Sequence, residues 1–76
     1  GDLGLAPKLI HEVANLVRTI NQEGVTIIIV EQNARLALKI SDRAIVLESG
    51  AVAISGSSQE LLTSDTVQKA YLGGGG

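Results

Sequence analysis

The sequence predicts a small α/β domain, in which a three-stranded sheet with one parallel crossover and one hairpin is flanked by about four helices. Apolar residues make up 45% of the 76 residues, which is typical of a folded chain. A stretch with helical periodicity directly precedes a run of β-branched residues, and two further apolar runs are separated by a Ser-Gly pair. The expected order is helix, strand, helix, strand, strand, helix, helix.

The first helix is predicted over residues 7–23. Pro7 suits the first helical position, because its missing N–H would have no partner there. Apolar residues recur at the spacing of one helix face and polar residues occupy the other. The apolar set is Leu9, Ile10, Val13, Leu16, Val17 and Ile20. Gly24 is expected to end the helix as a left-handed cap.

Val25–Val30 is predicted to be a strand that is buried on both faces, since every residue in it is β-branched. Strands of this kind belong to parallel sheets covered by helices, but the chain supplies few neighbours for it. Either another chain covers this strand, or the sequence is a piece of a larger α/β sheet. The second interpretation is favoured.

The next elements are a short helix and a hairpin. Asn33 is a suitable N-cap for a helix over residues 34–41. Strands are predicted over Arg43–Glu48 and Ala51–Ser55, and the intervening Ser49-Gly50 is typical of a tight two-residue turn.

Two helices are predicted at the end of the chain. Ser57 with Glu60 three residues later forms a capping box ahead of an apolar pair. Asp65 with Gln68 resembles the same device. Residues 1–73 are therefore expected to form one α/β unit, and residues 74–76 to be an added glycine tail.

Composition excludes several classes of function. Six Lys or Arg against eight Asp or Glu give a net charge of -2, and the sequence has no basic cluster, so nucleic acid is not an expected partner. Cysteine is absent, which excludes a disulfide framework and a thiolate metal site. No apolar run approaches the roughly 18 residues needed to span a bilayer.

Catalytic arrangements are also scarce. His11 is the only histidine and shares a polar helix face with Lys8 and Asn15, so it is expected to be solvated. The pair Ser57-Ser58 suits caps better than nucleophiles. There is no glycine-rich phosphate loop. The sequence thus predicts no catalytic residue and no metal site on this chain.

Glu31-Gln32-Asn33 is the one suggestive place, and two interpretations of it remain open. Ligands of open α/β sheets bind beyond the carboxyl ends of strands, and the N–H groups that begin a helix favour anions. Gln32 can then donate its amide to a phosphate oxygen. In the structural interpretation, Asn33 caps the helix and Glu31 offsets the helix dipole. The residues alone favour the structural interpretation.

Taken together, four short motifs resemble the C-terminal part of an ABC-transporter ATPase subunit of the branched-chain amino-acid type. Leu3–Pro7 resembles the D-loop that follows the Walker B strand, and Val30–Arg35 resembles the switch loop. Asp42–Gly56 resembles the hairpin that follows, and Tyr71–Gly73 resembles the end of the family's chain. The motifs are specific as a series and weak singly.

The resemblance implies a truncated piece of a P-loop-type ATPase core. Gln32 would contact the γ-phosphate of ATP, and Leu3, Gly4 and Leu5 would contact a second ATPase subunit. Asp2 stands where the family usually has a small hydroxyl residue. In the parent, ATP and Mg²⁺ would be the cofactors, the membrane permease a partner, and the cytoplasmic face of the inner membrane the location.

The departures from the family matter as much as the matches. The Walker A loop, the Q-loop, the LSGGQ-type segment and the Walker B carboxylates are missing, and phosphoryl transfer needs such parts together. The resemblance therefore implies a fragment that needs the missing N-terminal part of the ATPase domain and is not catalytic alone. The alternative is an engineered or excised interaction module that forms a homodimer through its exposed sheet.

Overall fold

The computed structural model describes residues 7–73, which form four helices and a two-stranded antiparallel sheet. The helices are α1 (Pro7–Gln22), α2 (Ala34–Ile40), α3 (Ser58–Thr63) and α4 (Asp65–Tyr71), and the strands are β1 (Arg43–Glu48) and β2 (Ala51–Ser57). The α/β class and the four helices agree with the prediction. None of these helices combines the length and apolarity that crossing a bilayer requires.

The end of α1 follows the sequence prediction closely. Gly24 adopts a φ of 97° and its N–H donates to the carbonyl of Asn21, as a left-handed cap requires. The side chain of Asn21 also donates to the carbonyl of Val25, at 2.9 Å. These local bonds turn the chain out of α1, so the helix ends where glycine allows it.

The prediction of a buried strand at Val25–Val30 is wrong for this structure. The segment forms no regular secondary structure, and Ile28 and Val30 are 88% and 97% exposed. Only Ile27 and Ile29 are half-buried. A strand needs a neighbour to receive its backbone hydrogen bonds, and within residues 7–73 both strands of the sheet pair with each other. The predicted third strand and its parallel crossover are therefore absent from the described residues.

The hairpin is confirmed, with a β2 strand two residues longer than predicted. Ser49 and Gly50 have φ values of 50° and 79°, as a two-residue turn of the primed type requires. The register runs from Glu48 opposite Ala51 to Arg43 opposite Ser57. It shifts between Val46 and Leu47, where a bulge interrupts the ladder.

The hydrophobic core lies in the C-terminal half of the chain. Its buried residues are Leu38, Leu61, Val67 and Leu72, and the half-buried residues packed around them are Ala34, Ala44, Ile54, Leu62 and Tyr71. On α1 the only buried residue is Ala14. The apolar side of α1 instead faces Ile29 and α2 across a cavity of about 130 Å³. Helix α2 thus lies between the core and α1.

Serine residues fix the two C-terminal helices. The Ser57 hydroxyl accepts from the N–H of Glu60 at 3.2 Å and donates to the Glu60 carboxylate at 2.8 Å, which confirms this cap. For α4 the cap is Ser64, whose hydroxyl accepts from the N–H of Val67. The predicted cap at Asp65 is therefore displaced by one residue, because Asp65 already lies inside the helix.

Ser58 has a different role from the predicted cap. It is 3% exposed, and its hydroxyl shares a hydrogen bond of 2.7 Å with the hydroxyl of Ser41. Its N–H donates to the carbonyl of Asp42 at 2.9 Å. These two bonds join the end of α2 to the start of α3. The bond to Ser41 also gives the buried Ser58 hydroxyl the hydrogen-bond partner that buried polar groups need.

Candidate functional site

The turn that precedes α2 is the candidate site, and Asn33 sets its shape. The Asn33 backbone is extended, with φ -76° and ψ 99°, and its side-chain oxygen accepts from the N–H of Leu36 at 3.1 Å. Its carbonyl accepts from the N–H of Ala37. Asn33 is thus the N-cap that the sequence predicts, and it fixes where α2 begins.

Glu31 supports the same turn from the other side. Its carboxylate accepts a hydrogen bond of 2.9 Å from the N–H of Asn33. A carboxylate in this position also complements the positive end of the α2 dipole. The structural interpretation of Glu31 and Asn33 is therefore confirmed by the hydrogen bonds that both side chains make.

Gln32 lies between these two capping residues and is exposed. Its neighbours on both sides make local hydrogen bonds that hold the turn, so the backbone position of Gln32 is defined. A primary amide offers two donors and one carbonyl acceptor. The turn therefore presents one neutral polar side chain to solvent, at the point where the family resemblance implies a phosphate contact.

Arg35 anchors this turn to the end of the chain. Its guanidinium donates to the carbonyl of Leu72 at 3.0 Å, across 37 residues of sequence. Leu72 is itself part of the hydrophobic core. The motif at Val30–Arg35 gives no indication of this contact, because no sequence signal reports pairing over such a separation.

The other predicted residues are not brought to the turn by the described structure. Leu3, Gly4 and Leu5 lie outside residues 7–73. His11 is exposed, as the sequence predicts, but it lies on α1. Within residues 7–73, no group of three His, Cys, Asp or Glu side chains is placed to hold a metal ion.

A tyrosine–carboxylate contact lies away from the turn. The Tyr71 hydroxyl donates to the Glu48 carboxylate at 2.7 Å. This hydrogen bond, followed by desolvation and by the charge of Glu48, raises the pKa of Tyr71 above its ordinary value of 10.0. The contact joins α4 to the hairpin, and we assign it a structural role.

Comparisons with known proteins match almost the whole chain. It is 47% identical over 72 residues to the high-affinity branched-chain amino acid transport ATP-binding protein BraG of Pseudomonas aeruginosa, covering 95% of this chain and 31% of that protein. It is 37% identical over 70 residues to the probable branched-chain amino acid transport ATP-binding protein LivF of Archaeoglobus fulgidus, covering 91% of this chain and 30% of that protein.

The match extends to a related transport protein. The lipopolysaccharide export system ATP-binding protein LptB of Acidithiobacillus ferridurans is 34% identical over 70 residues, covering 92% of this chain and 29% of that protein. No protein-family model matches the chain. By these coverages, the chain spans about a third of the length of the curated relatives it matches.

These matches confirm that the sequence is similar to ATP-binding subunits of ABC transporters, the class that the motifs indicate. Within that class, the resemblance is to the branched-chain amino acid type, represented by BraG and LivF.

Proposed function

We propose that this chain is the part of an ABC-transporter ATP-binding subunit that carries the switch loop and a D-loop remnant, in an importer of branched-chain amino acids. The observation that carries the proposal is the 47% identity to BraG over 95% of the chain. The turn at Glu31–Asn33, which holds Gln32 exposed between two capping residues, supports it independently.

In this proposal Gln32 contacts the γ-phosphate of ATP in the complete subunit. Glu31 and Asn33 act as positioning residues, because their hydrogen bonds fix the turn before any nucleotide arrives. A donor that is already in place costs little reorganisation when charge develops on a phosphate. Arg35 holds the same segment to the core through the carbonyl of Leu72.

The described residues fit only a small part of an ATP site. Gln32 offers one amide, whereas phosphoryl transfer needs a phosphate-binding backbone loop, a lysine and Mg²⁺ ligands together. The sequence of this chain has no G-x-x-x-x-G-K-[ST] motif. We therefore propose that the chain does not hydrolyse ATP alone and that the rest of the ATPase domain supplies ATP and Mg²⁺ binding.

The partners follow from the same proposal. Leu3, Gly4 and Leu5 would contact a second ATPase subunit, and the complete subunit would associate with a membrane permease at the cytoplasmic face. These contacts would couple ATP hydrolysis to amino-acid import. Nucleic acid is not a proposed partner.

A chimera tests the proposal. The matching 72 residues of BraG are replaced by those of this chain, and ATP hydrolysis is measured for the chimera and for the isolated chain. We expect the chimera to hydrolyse ATP and the isolated chain to show neither turnover nor saturable amide shifts at Gln32. In the chimera, Gln32→Ala should lower kcat by about 10²-fold, the typical cost of losing one aligned donor.

Gln59→Ala is the matched control, since Gln59 is also an exposed glutamine but lies on α3. It should leave kcat unchanged. A folded chimera that neither binds nor hydrolyses ATP would contradict the proposal. So would ATP turnover by the isolated chain.

The exposed face of the hairpin favours one alternative, a module that self-associates. Ile45, Leu47 and Val52 are 65%, 64% and 60% exposed. Apolar residues exposed together on a strand pair favour association with another chain. Sedimentation at micromolar concentration distinguishes the proposals: a dimer that Leu47→Lys abolishes supports the alternative, and a monomer contradicts it.

A further inference from the structure

A second concave surface lies between the first turns of α1 and one side of α2. It has a volume of about 260 Å³. Its apolar lining includes Ile10 and Leu36, and its ionisable lining consists of His11, Arg35 and Lys39. We call this surface the basic groove. Gln32 is not among the residues that line it, although its neighbour Asn33 is.

The basic groove brings basic side chains together in an acidic chain. The whole sequence has a net charge of -2, yet every ionisable residue among the described residues that line the groove is basic. The single histidine of the chain lies there together with two of its six Lys and Arg residues. Charges of one sign in a cleft attract ligands of the other sign.

The folded chain, rather than the sequence, brings these groups together. Arg35 and Lys39 are four residues apart on α2 and so share a helix face, while His11 comes from α1. Like charges at that spacing are unfavourable for a helix on its own. Lys39 and His11 are exposed, and the Arg35 guanidinium is half-buried and held by its hydrogen bond to the Leu72 carbonyl.

We propose that the basic groove binds a compact organic phosphate monoester. Lys39 and His11 donate to the phosphate, and Ile10 with Leu36 contact the apolar part of the ligand. The groove is slightly smaller than the pockets of about 300 Å³ and above that hold drug-sized ligands. A phosphorylated aromatic or short-chain alcohol therefore matches its size better than a nucleoside triphosphate does.

Phenyl phosphate is the probe for this site. It is titrated into the ¹⁵N-labelled chain at low salt, with inorganic phosphate and phenol titrated separately. We expect saturable amide shifts confined to residues 8–11 and 33–39, with a Kd of about 10 mM or tighter. Inorganic phosphate should bind at least about threefold more weakly and phenol should not saturate, because the groove has both a charged and an apolar part.

Substitutions locate the contact. Lys39→Gln should weaken phenyl phosphate binding about fivefold, in line with the loss of one exposed ionic contact, and His11→Gln should weaken it about twofold. Lys69→Gln is the matched control, because Lys69 is also exposed near the end of a short helix.

Three results would overturn the proposal. One is the absence of saturable shifts in residues 8–11 and 33–39 at 50 mM phenyl phosphate. Another is equal weakening by Lys39→Gln and Lys69→Gln, which would indicate only general charge attraction. The third is equal affinity for phenyl phosphate and inorganic phosphate, since the apolar lining would then make no contribution.

Discussion

Replacing Leu38 tests whether the small core holds the candidate site in place. Leu38 lies on α2, is 4% exposed, and packs in the cluster with Leu61, Val67 and Leu72. Leu→Ala changes at buried sites cost about 2–5 kcal/mol, because transfer free energy is lost and a cavity remains. A single core of this size rarely supplies more than about 3–5 kcal/mol in total. Leu38→Ala should therefore remove about 40% or more of the free energy of unfolding.

The assay is urea unfolding followed by circular dichroism at 222 nm. Leu16→Ala is the matched control: it makes the same chemical change on α1, where Leu16 is 59% exposed. Its effect should stay within about 0.5 kcal/mol, as is usual for surface positions. If both substitutions lowered the urea midpoint equally, or if Leu38→Ala cost less than about 1 kcal/mol, the core described here would be wrong.

Two further predictions concern the hairpin and its contact with α4. Gly50→Ala should destabilise the chain by about 1 kcal/mol, because Gly50 has a φ of 79°. Gly56→Ala should cost less, since its new Cβ would meet only Leu61 at 3.9 Å. Thermal unfolding compares the two variants, and equal losses of stability would contradict the turn geometry. Tyr71 is the only aromatic residue, so absorbance at 295 nm reports its ionisation directly. Its midpoint should lie above 10.0, and Glu48→Gln should lower it, because the raised pKa comes mainly from the hydrogen bond to Glu48. A group whose pKa is raised by folding stabilises the folded state below its ordinary pKa, and that contribution is lost as the pH rises through the higher folded value. An ordinary midpoint that Glu48→Gln leaves unchanged would show that the Tyr71 contact does not persist in solution.

Local elements could be predicted from the sequence because their signals are local. The caps at Asn33 and Ser57 and the turn at Ser49-Gly50 each depend on residues within four positions of one another. Their side-chain or backbone requirements are strong enough to fix the structure without help from the rest of the chain. These elements match the structure closely.

Non-local pairing could not be predicted in the same way. The β-branched run at Val25–Val30 indicated burial, but composition does not say which strand would pair with it, and the described residues supply none. The contact between Arg35 and Leu72 spans 37 residues and has no sequence signature. The basic groove was missed for the same reason, since His11 lies far from Lys39 in sequence.

The candidate site was predicted in part. The sequence located the turn at Glu31–Asn33, and the structure shows the hydrogen bonds that shape it. The role of Gln32 rests on family resemblance, because an exposed amide has no intrinsic preference for a phosphate over water. The predicted D-loop residues Leu3, Gly4 and Leu5 lie outside the described part of the chain, and their role stays a prediction.

The placement of the core has a consequence for how the chain opens. Nearly all buried side chains belong to α2, α3, α4 and the residue that follows α4, whereas α1 contributes only Ala14 and faces a cavity. Local opening costs less free energy where few apolar side chains are buried. Backbone amides in α1 should therefore exchange with deuterium earlier than those of α2, so that the helix nearest the chain's beginning detaches while the candidate turn stays formed.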